Sequence, residues 1–335
     1  MSIDPDLDEA QISFRDDDLL FVNGRSALFC LLNAFRPQTV WVPSYLCEAV
    51  LHPIRQCEVR LQFFDVDASL NVSSVDWLAD VSQGDFVILI DYFGFPVDET
   101  LLEQAKATGA WIVEDACQAM FTEGASINAD FVIYRPRKFV GVPDGGILSV
   151  RTNRPEARAL REIRLMQADD GWWLQAFTAV YQRNRFDDFG TGREWYKLFK
   201  DSEEQAPTGL YSMSDLSRCL LKRGFNFHRI RQTRRANYQM LLEHLSDWAL
   251  FDTLPASVVP LGFPIRVARR ELLLKKLHQQ EIFPPIHWPL EGVAPARFVN
   301  SHALSREILT LPCDQRYGEA NMVRMASLIR HELRR

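Results

Sequence analysis

Residues 86–90 read Phe-Val-Ile-Leu-Ile, directly after Asp85. An unbroken apolar run of this length is the pattern of a strand buried on both faces, and such strands belong to parallel sheets covered by helices on either side. The neighbouring sequence fits that arrangement. Trp111-Ile112-Val113 reads as a second buried strand and ends in Glu114-Asp115. Phe131-Val132-Ile133-Tyr134 reads as a third, followed by Arg135-Pro136-Arg137-Lys138. Between the first two lies a helical stretch, Glu99 to Ala107, with Asp98 placed to cap it. Short β-type runs alternating with helical segments predict βαβ units and a mostly parallel sheet. Strands that end in polar residues predict a ligand crevice at their carboxyl ends.

The remaining segments extend this pattern. Asn23-Gly24-Arg25-Ser26 is a turn into a helical pattern starting at Ala27. Val40-Trp41-Val42 reads as a strand stopped by Pro43, with Ser44 as the N-cap of a short helix running through Glu48 to near Pro53. Val59 to Val66 is β-rich, and Asp144-Gly145-Gly146 turns the chain into Ile147-Leu148-Ser149-Val150. From about Pro155 the pattern becomes helical. Residues 168–205, rich in aromatic and charged side chains, read as an insertion or flap whose tryptophans pack or form a wall against a substrate ring. Phe227 to Leu245 is a long helix carrying Arg229, Arg231, Arg234 and Arg235. Helical spacing spreads these arginines around it, so it reads as a solvated or dimer-facing helix. A β-type run near Phe263-Pro264-Ile265, a helix from Glu271 to Gln280 and a last helix from Glu319 to Leu333 complete the chain. A length of 335 residues suggests about two units. The expected division is a large domain over 1–245 and a smaller C-terminal α+β domain over 246–335.

Composition excludes several classes. Acidic side chains number 44 against 38 Lys plus Arg, a net charge of −6, which argues against a nucleic-acid or membrane-surface binder. No apolar run approaches the roughly 18 residues needed to cross a bilayer. The acidic start, Met1-Ser2-Ile3-Asp4-Pro5-Asp6, lacks a signal-peptide pattern. Six scattered cysteines (Cys30, Cys47, Cys57, Cys117, Cys219, Cys313) contain no CxxC pair, so neither a zinc site nor a disulfide framework is expected. A cytoplasmic protein is the expectation. Dinucleotide, P-loop, serine-hydrolase and zinc-protease motifs are all missing.

What remains is Glu114-Asp115-Ala116-Cys117-Gln118 at one strand end, with Pro136-Arg137-Lys138 at another and Gly145-Gly146 just beyond. An acid and a lysine brought to one crevice suit pyridoxal 5'-phosphate (PLP). The lysine amine forms a Schiff base with the aldehyde, and the carboxylate keeps the pyridine nitrogen protonated.

Several segments then resemble, in order and approximate spacing, the DegT/DnrJ-type PLP-dependent sugar aminotransferases. They are Gly24-Arg25-Ser26-Ala27-Leu28, Val42-Pro43-Ser44-Tyr45, Asp91-Tyr92-Phe93-Gly94, Glu114-Asp115-x-x-Gln118, Pro136-x-Lys138 and Asp144-Gly145-Gly146. Tyr211-x-Met213-Ser214-Asp215-Leu216, Arg234-Arg235-Ala236-Asn237-Tyr238, His287-Trp288-Pro289-Leu290 and Leu309-Thr310-Leu311-Pro312 continue the likeness, over roughly residues 20 to 330. The resemblance implies a fold-type-I transferase architecture, a homodimer, and transfer of an amino group from an amino acid such as glutamate to a nucleotide-linked keto sugar. It assigns Lys138 to the Schiff base, Asp115 to the pyridinium, Gln118 to the side of the ring hydroxyl and the Gly24-Arg25-Ser26 turn to the phosphate. Cys47 falls where a flat side chain usually covers the ring, with Tyr45 an alternative if the local backbone is shifted. His287 falls on the substrate side. Ile133, Leu210 and Ser212 replace a serine, an asparagine and an arginine of the family pattern. Losing two hydrogen bonds to a charged phosphate costs about 1.5–3 kcal/mol each, and Arg135 and Arg137 are the replacements that the sequence offers. The alternatives are a sugar dehydratase, which Lys138 disfavours because that branch tends to carry histidine there, and a catalytically silent binding or regulatory homologue.

Overall fold

The computed structural model describes residues 15, 17–124, 128–190 and 193–334, so the acidic start at 1–6 lies outside the described residues. Seven strands form one sheet: β1 (Leu19–Phe21), β2 (Thr39–Pro43), β3 (Arg60–Phe64), β4 (Phe86–Ile90), β5 (Trp111–Asp115), β6 (Phe131–Tyr134) and β7 (Gly146–Val150). Their spatial order is β1-β7-β6-β5-β4-β2-β3. All pairings from β3 through β6 are parallel. Only β7 runs against both its neighbours.

Three helices lie between the early strands: α1 (Gly24–Phe35), α2 (Leu51–Gln56) and α3 (Glu99–Ala107). Strand alternation divides the buried side chains between two faces. Phe86, Ile88 and Ile90 pack with Ala27, Leu28, Leu31 and Leu32 of α1. Val87 and Leu89 pack on the other face with Leu101, Leu102 and Ala105 of α3. The same alternation holds for Trp111 and Val113 against Ile112, and for Phe131 and Ile133 against Val132. With about 1.5–3 kcal/mol for each large apolar side chain fully buried, a one-residue slip of any of these strands is strongly disfavoured.

After β7 come α4 (Asp170–Phe189), capped by Asp169, and α5 (Glu194–Glu204), which packs on α4. Next are α6 (Asp215–Arg223) and α7 (Phe227–Leu245). Asp144 ties α6 to the sheet, accepting from the Ser214 N–H at 2.7 Å and hydroxyl at 2.6 Å, and from the Ser217 hydroxyl. A second core joins the end of α7 to a two-stranded antiparallel sheet, β8 (Phe263–Arg266) with β9 (Ile308–Leu311). Over it lie α8 (Arg270–Gln279) and α10 (Glu319–Leu333), while α9 (Val299–Glu307) leads into β9.

Two expectations need correction. Ser44 caps no helix: its hydroxyl sits 2.7 Å from the Ser301 hydroxyl, and the chain forms a 3-10 turn at 48–50 before α2. Arg234 is not solvated. It is buried, and its guanidinium donates to the carbonyls of Pro260 and Leu261 and to Gln315.

Gly146 sets the approach of β7 to the start of α1, because a Cβ there would lie 2.3 Å from the Asn23 carbonyl and 2.7 Å from the Gly24 nitrogen. Both neighbours are backbone, which cannot rotate away. Gly146→Ala is expected to lower stability by at least about 2 kcal/mol in chemical denaturation. Gly141→Ala, whose Cβ would meet only Val180 at 3.7 Å, should change it by less than about 1 kcal/mol.

Candidate active site

On β5 the alternation sends Asp115 to the α1 face, with Trp111 and Val113, and Glu114 to the α3 face. Asp115 pairs in register with Ile133 of β6. Its Oδ1 accepts the Cys117 N–H at 3.0 Å, which tightens the turn leaving the strand. A Cβ on Gly24 would lie 3.5 Å from both the Cys117 sulfur and Ile133, so the first turn of α1 sits over the ends of β5 and β6. Beyond β6, Arg135 is extended and residues 136–138 form a 3-10 turn that delivers Lys138, its N–H donating to the Arg135 carbonyl at 3.1 Å.

Asp115 and Lys138 meet electrostatically at Cys117. Burial pushes that thiol well above its ordinary value, the negative Asp115 adds to the shift, and the positive Lys138 opposes it. Lys138 also acts on His287. Burial first, and then the Lys138 charge, hold that imidazole down at about 3, so His287 is neutral at working pH. The sequence-predicted residues Asp115, Lys138 and His287 thus occupy one neighbourhood, with Cys117 among them.

Aromatic side chains wall this region. The Tyr45 hydroxyl donates to the His287 carbonyl, and the Tyr92 hydroxyl donates to the Tyr45 carbonyl at 2.5 Å. Trp288 lies 5.4 Å from the Tyr45 ring, and Phe93 meets His287 edge-on at 5.6 Å. His287 Nδ1 contacts the Thr310 hydroxyl at 2.8 Å. Gln118 is buried, with its carbonyl oxygen accepting the Phe93 N–H at 2.8 Å. Cys47 is half-buried at the start of the 48–50 turn, within electrostatic reach of Arg25 and Arg135.

The predicted phosphate turn is in place but covered. Asn23 Oδ1 accepts the Ser26 N–H at 2.9 Å and caps α1. The Pro207 carbonyl accepts from the Asn23 amide at 2.8 Å and from the Ser26 hydroxyl at 3.3 Å. Beside it stand three guanidiniums. Arg135 and Arg137 both bind the carboxylate of Glu203, near the end of α5, and Arg25 donates to the Glu203 carbonyl at 2.9 Å. Burial alone would raise the Glu203 carboxyl, but Arg135 and Arg137 outweigh it and hold the group down at about 2. The cavity left between Arg135, Arg137, Trp172 and Glu203 is only about 10 Å3. Of the three departures, Ile133 packs in the α1-side core. Leu210 and Ser212 pair through their backbones with Met166, at 2.9 and 2.7 Å.

The donor set fits PLP in kind: an acid at one strand end, a lysine beyond the next, and three cations beside a helix start. With Glu203 in its place, though, the cationic corner has no room for a phosphate group. Sequence reasoning assigned no role to three residues here. Glu203 lies in an ordinary charged helical run. Thr310 belongs to a segment that carries the resemblance, but nothing in that segment points to His287 as its partner. Asp91, on the α3 face, is buried against Glu114, and its carboxyl is pushed well above the usual range by burial and by that neighbour. Among the described residues no group of His, Cys, Asp and Glu is arranged to hold a metal ion, and no helix is long and apolar enough to cross a membrane.

The model of the DegT/DnrJ/EryC1/StrS aminotransferase family matches residues 19–330. No curated protein matches the chain. Among solved structures it is similar to a DegT DnrJ EryC1 StrS aminotransferase from Brucella abortus (19% identity, TM-score 0.64, covering 94% of this chain and 86% of that one). DesV of S. venezuelae, solved in complex with a ketimine intermediate, matches at 18% identity and TM-score 0.66, over 95% and 85% of the two chains. The sugar aminotransferase CalS13 from Micromonospora echinospora matches at 15% and 0.64, over 94% and 87%. At these identities the likeness is one of fold.

The Glu203 carboxyl is about 2 in the folded chain, below its ordinary value of about 4.3. Its stabilising contribution is therefore complete above about pH 4.3 and disappears as the pH falls through 2. Denaturation of the wild type and Glu203→Gln in parallel should give a stability difference that is constant above about pH 5 and shrinks toward zero near pH 2. A difference that grows on acidification would contradict the pairing with Arg135 and Arg137.

Proposed function

The chain belongs to the DegT/DnrJ/EryC1/StrS aminotransferase family, whose members are PLP-dependent aminotransferases, and from that premise we propose that it moves an amino group from an amino acid, glutamate in our reading, to a nucleotide-linked keto sugar. The observation that carries the proposal is the convergence of Asp115 and Lys138 on one buried sulfur at the carboxyl ends of β5 and β6. PLP, when bound, supplies an aldehyde that captures amines and a ring that draws electrons from the substrate carbon.

The chain's own residues then have these tasks. Lys138 Nζ would hold the cofactor and would carry the proton to and from the substrate carbon. Asp115, with one oxygen held by the Cys117 N–H, keeps a proton on the ring nitrogen. Gln118 would stand on the side of the ring hydroxyl, and Cys47 or Tyr45 would cover the ring face. Gly24, Arg25, Ser26, Arg135 and Arg137 would hold the phosphate, once the Glu203 carboxylate gives up its place on the arginines. His287, neutral and anchored through Nδ1 to Thr310, would stand on the substrate side. A homodimer acting in the cytoplasm, with a small domain beginning near 246, belongs to the same reading.

The purified protein given PLP should show a visible absorbance band, and borohydride should fix the label on Lys138 by peptide mapping. Lys138→Ala should lose both. Asp115→Asn keeps the acceptor for the Cys117 N–H. It should lower kcat by about 10²–10⁴-fold while shifting stability by less than about 1 kcal/mol. Donor consumed in a one-to-one ratio with amino product separates transamination from dehydration. A wild type with neither band nor fixed label in excess PLP overturns the reading and favours a silent homologue.

A further inference from the structure

The cationic corner beside α1 is not empty of anion. Arg25, Arg135 and Arg137 supply three positive charges within one small volume, and the chain fills it with a single carboxylate of its own, Glu203. The match is incomplete in charge, since three cations face Glu203 and one further carboxylate, Asp144, which lines the same space and acts on Arg137. A phosphate monoester carries about −1.5 to −2 at neutral pH and three acceptor oxygens, so it would neutralise the corner better than Glu203 does. The two cannot be present together. The remaining space of about 10 Å3 admits no more than one water.

Several contacts make the occupant part of a larger clasp. Ser202, next to Glu203, accepts the Trp172 indole N–H at 2.8 Å through its carbonyl, and its hydroxyl accepts from Arg137 at 3.3 Å. Immediately beyond α5 the Pro207 carbonyl takes the Asn23 amide and the Ser26 hydroxyl, and the Gly209 N–H donates to the Ser26 hydroxyl at 3.3 Å. Glu203 and residues 207–209 therefore cover both parts of the expected phosphate seat: the guanidiniums and the first turn of α1.

We propose that Glu203 is a displaceable internal ligand: the end of α5 closes the three-arginine seat, and a phosphate monoester enters by exchanging with the Glu203 carboxylate. This rests on the reading of that corner as the cofactor's phosphate seat. The exchange makes no and breaks no covalent bond. Its thermodynamic consequence is competition, in which apparent phosphate affinity is reduced by the fraction of molecules whose seat is closed.

The test uses the full chain and three probes: PLP, inorganic phosphate and pyridoxal without its phosphate. By equilibrium dialysis, Glu203→Gln should bind PLP and inorganic phosphate about tenfold or more tighter than wild type, with pyridoxal unchanged. Trp172→Phe, which loses the bond to Ser202 but keeps an aromatic ring on the wall of the seat, should shift in the same direction and decides the matter if Glu203→Gln does not fold. In the wild type, saturating inorganic phosphate should speed tryptic cleavage within α4 and α5. Equal or weaker phosphate binding by the deciding variant, or cleavage unaffected by phosphate, overturns the proposal. Its failure and that of the aminotransferase reading are distinguishable. Tighter phosphate binding with no label on Lys138 keeps the exchange and removes the enzyme. A label on Lys138 with no gain in Glu203→Gln does the reverse.

Discussion

The parallel pairing of β5 between β4 and β6 is the constraint on which the site depends. It fixes which side chains at the strand end go to which face, and two adjacent acids meet opposite fates as a result. Asp115 emerges on the α1 face beside Cys117 and within reach of the Lys138 charge. Glu114 emerges on the α3 face against Asp91. Burial and the neighbouring Glu114 favour the protonated form of Asp91. A one-residue shift of β5 would exchange the two acids and carry Trp111 and Val113 out of the α1-side core.

The positive side of the site is organised by proximity of charge more than by neutral hydrogen bonds. Where the family pattern has polar groups, this chain has Ile133 in the core, and Leu210 and Ser212 joined by backbone to Met166. Guanidiniums stand nearby on two separate elements, Arg25 on α1 and Arg135 and Arg137 beyond β6, and the last two are the replacements that we propose. A guanidinium reaches farther than a hydroxyl and grips an anion through two parallel bonds.

The parts of the structure legible in the sequence are those determined locally. The apolar pentad of β4, the acid-ended β5 and the helices over 227–245 and 319–333 follow from run length, periodicity and capping residues, and each occurs where expected. What failed depends on distant partners. Ser44 has the chemistry of an N-cap, yet Ser301 claims its hydroxyl. Arg234 sits in a row of arginines with nothing to mark it as the one buried against the Pro260 and Leu261 carbonyls. Strands β1 and β9 are too short to carry a periodic signal, and they form because β7 and β8 offer edges to pair with. Asp115 and Lys138 were legible for a different reason: short chain distances tie each to a strand end, and topology does the rest.

Glu203 illustrates why such a residue is invisible locally and nevertheless demanded by the fold. Three guanidiniums gathered in one partly buried corner oppose one another. Burial disfavours the charge on Arg25 and Arg137, and the proximity of Arg135 adds to it. Arg135, which burial would also disfavour, is held firmly charged by Glu203. Removing one partner from such a cluster leaves uncompensated charge in a poorly solvated space, a cost of about 3–5 kcal/mol for buried pairs. A protein that receives a dianion there only part of the time must either disorder the corner when the dianion is absent or supply an anion of its own. A carboxylate at the end of a packed helix meets the second requirement with one charge, enough to hold the arginines in place and too little to match a phosphate for them.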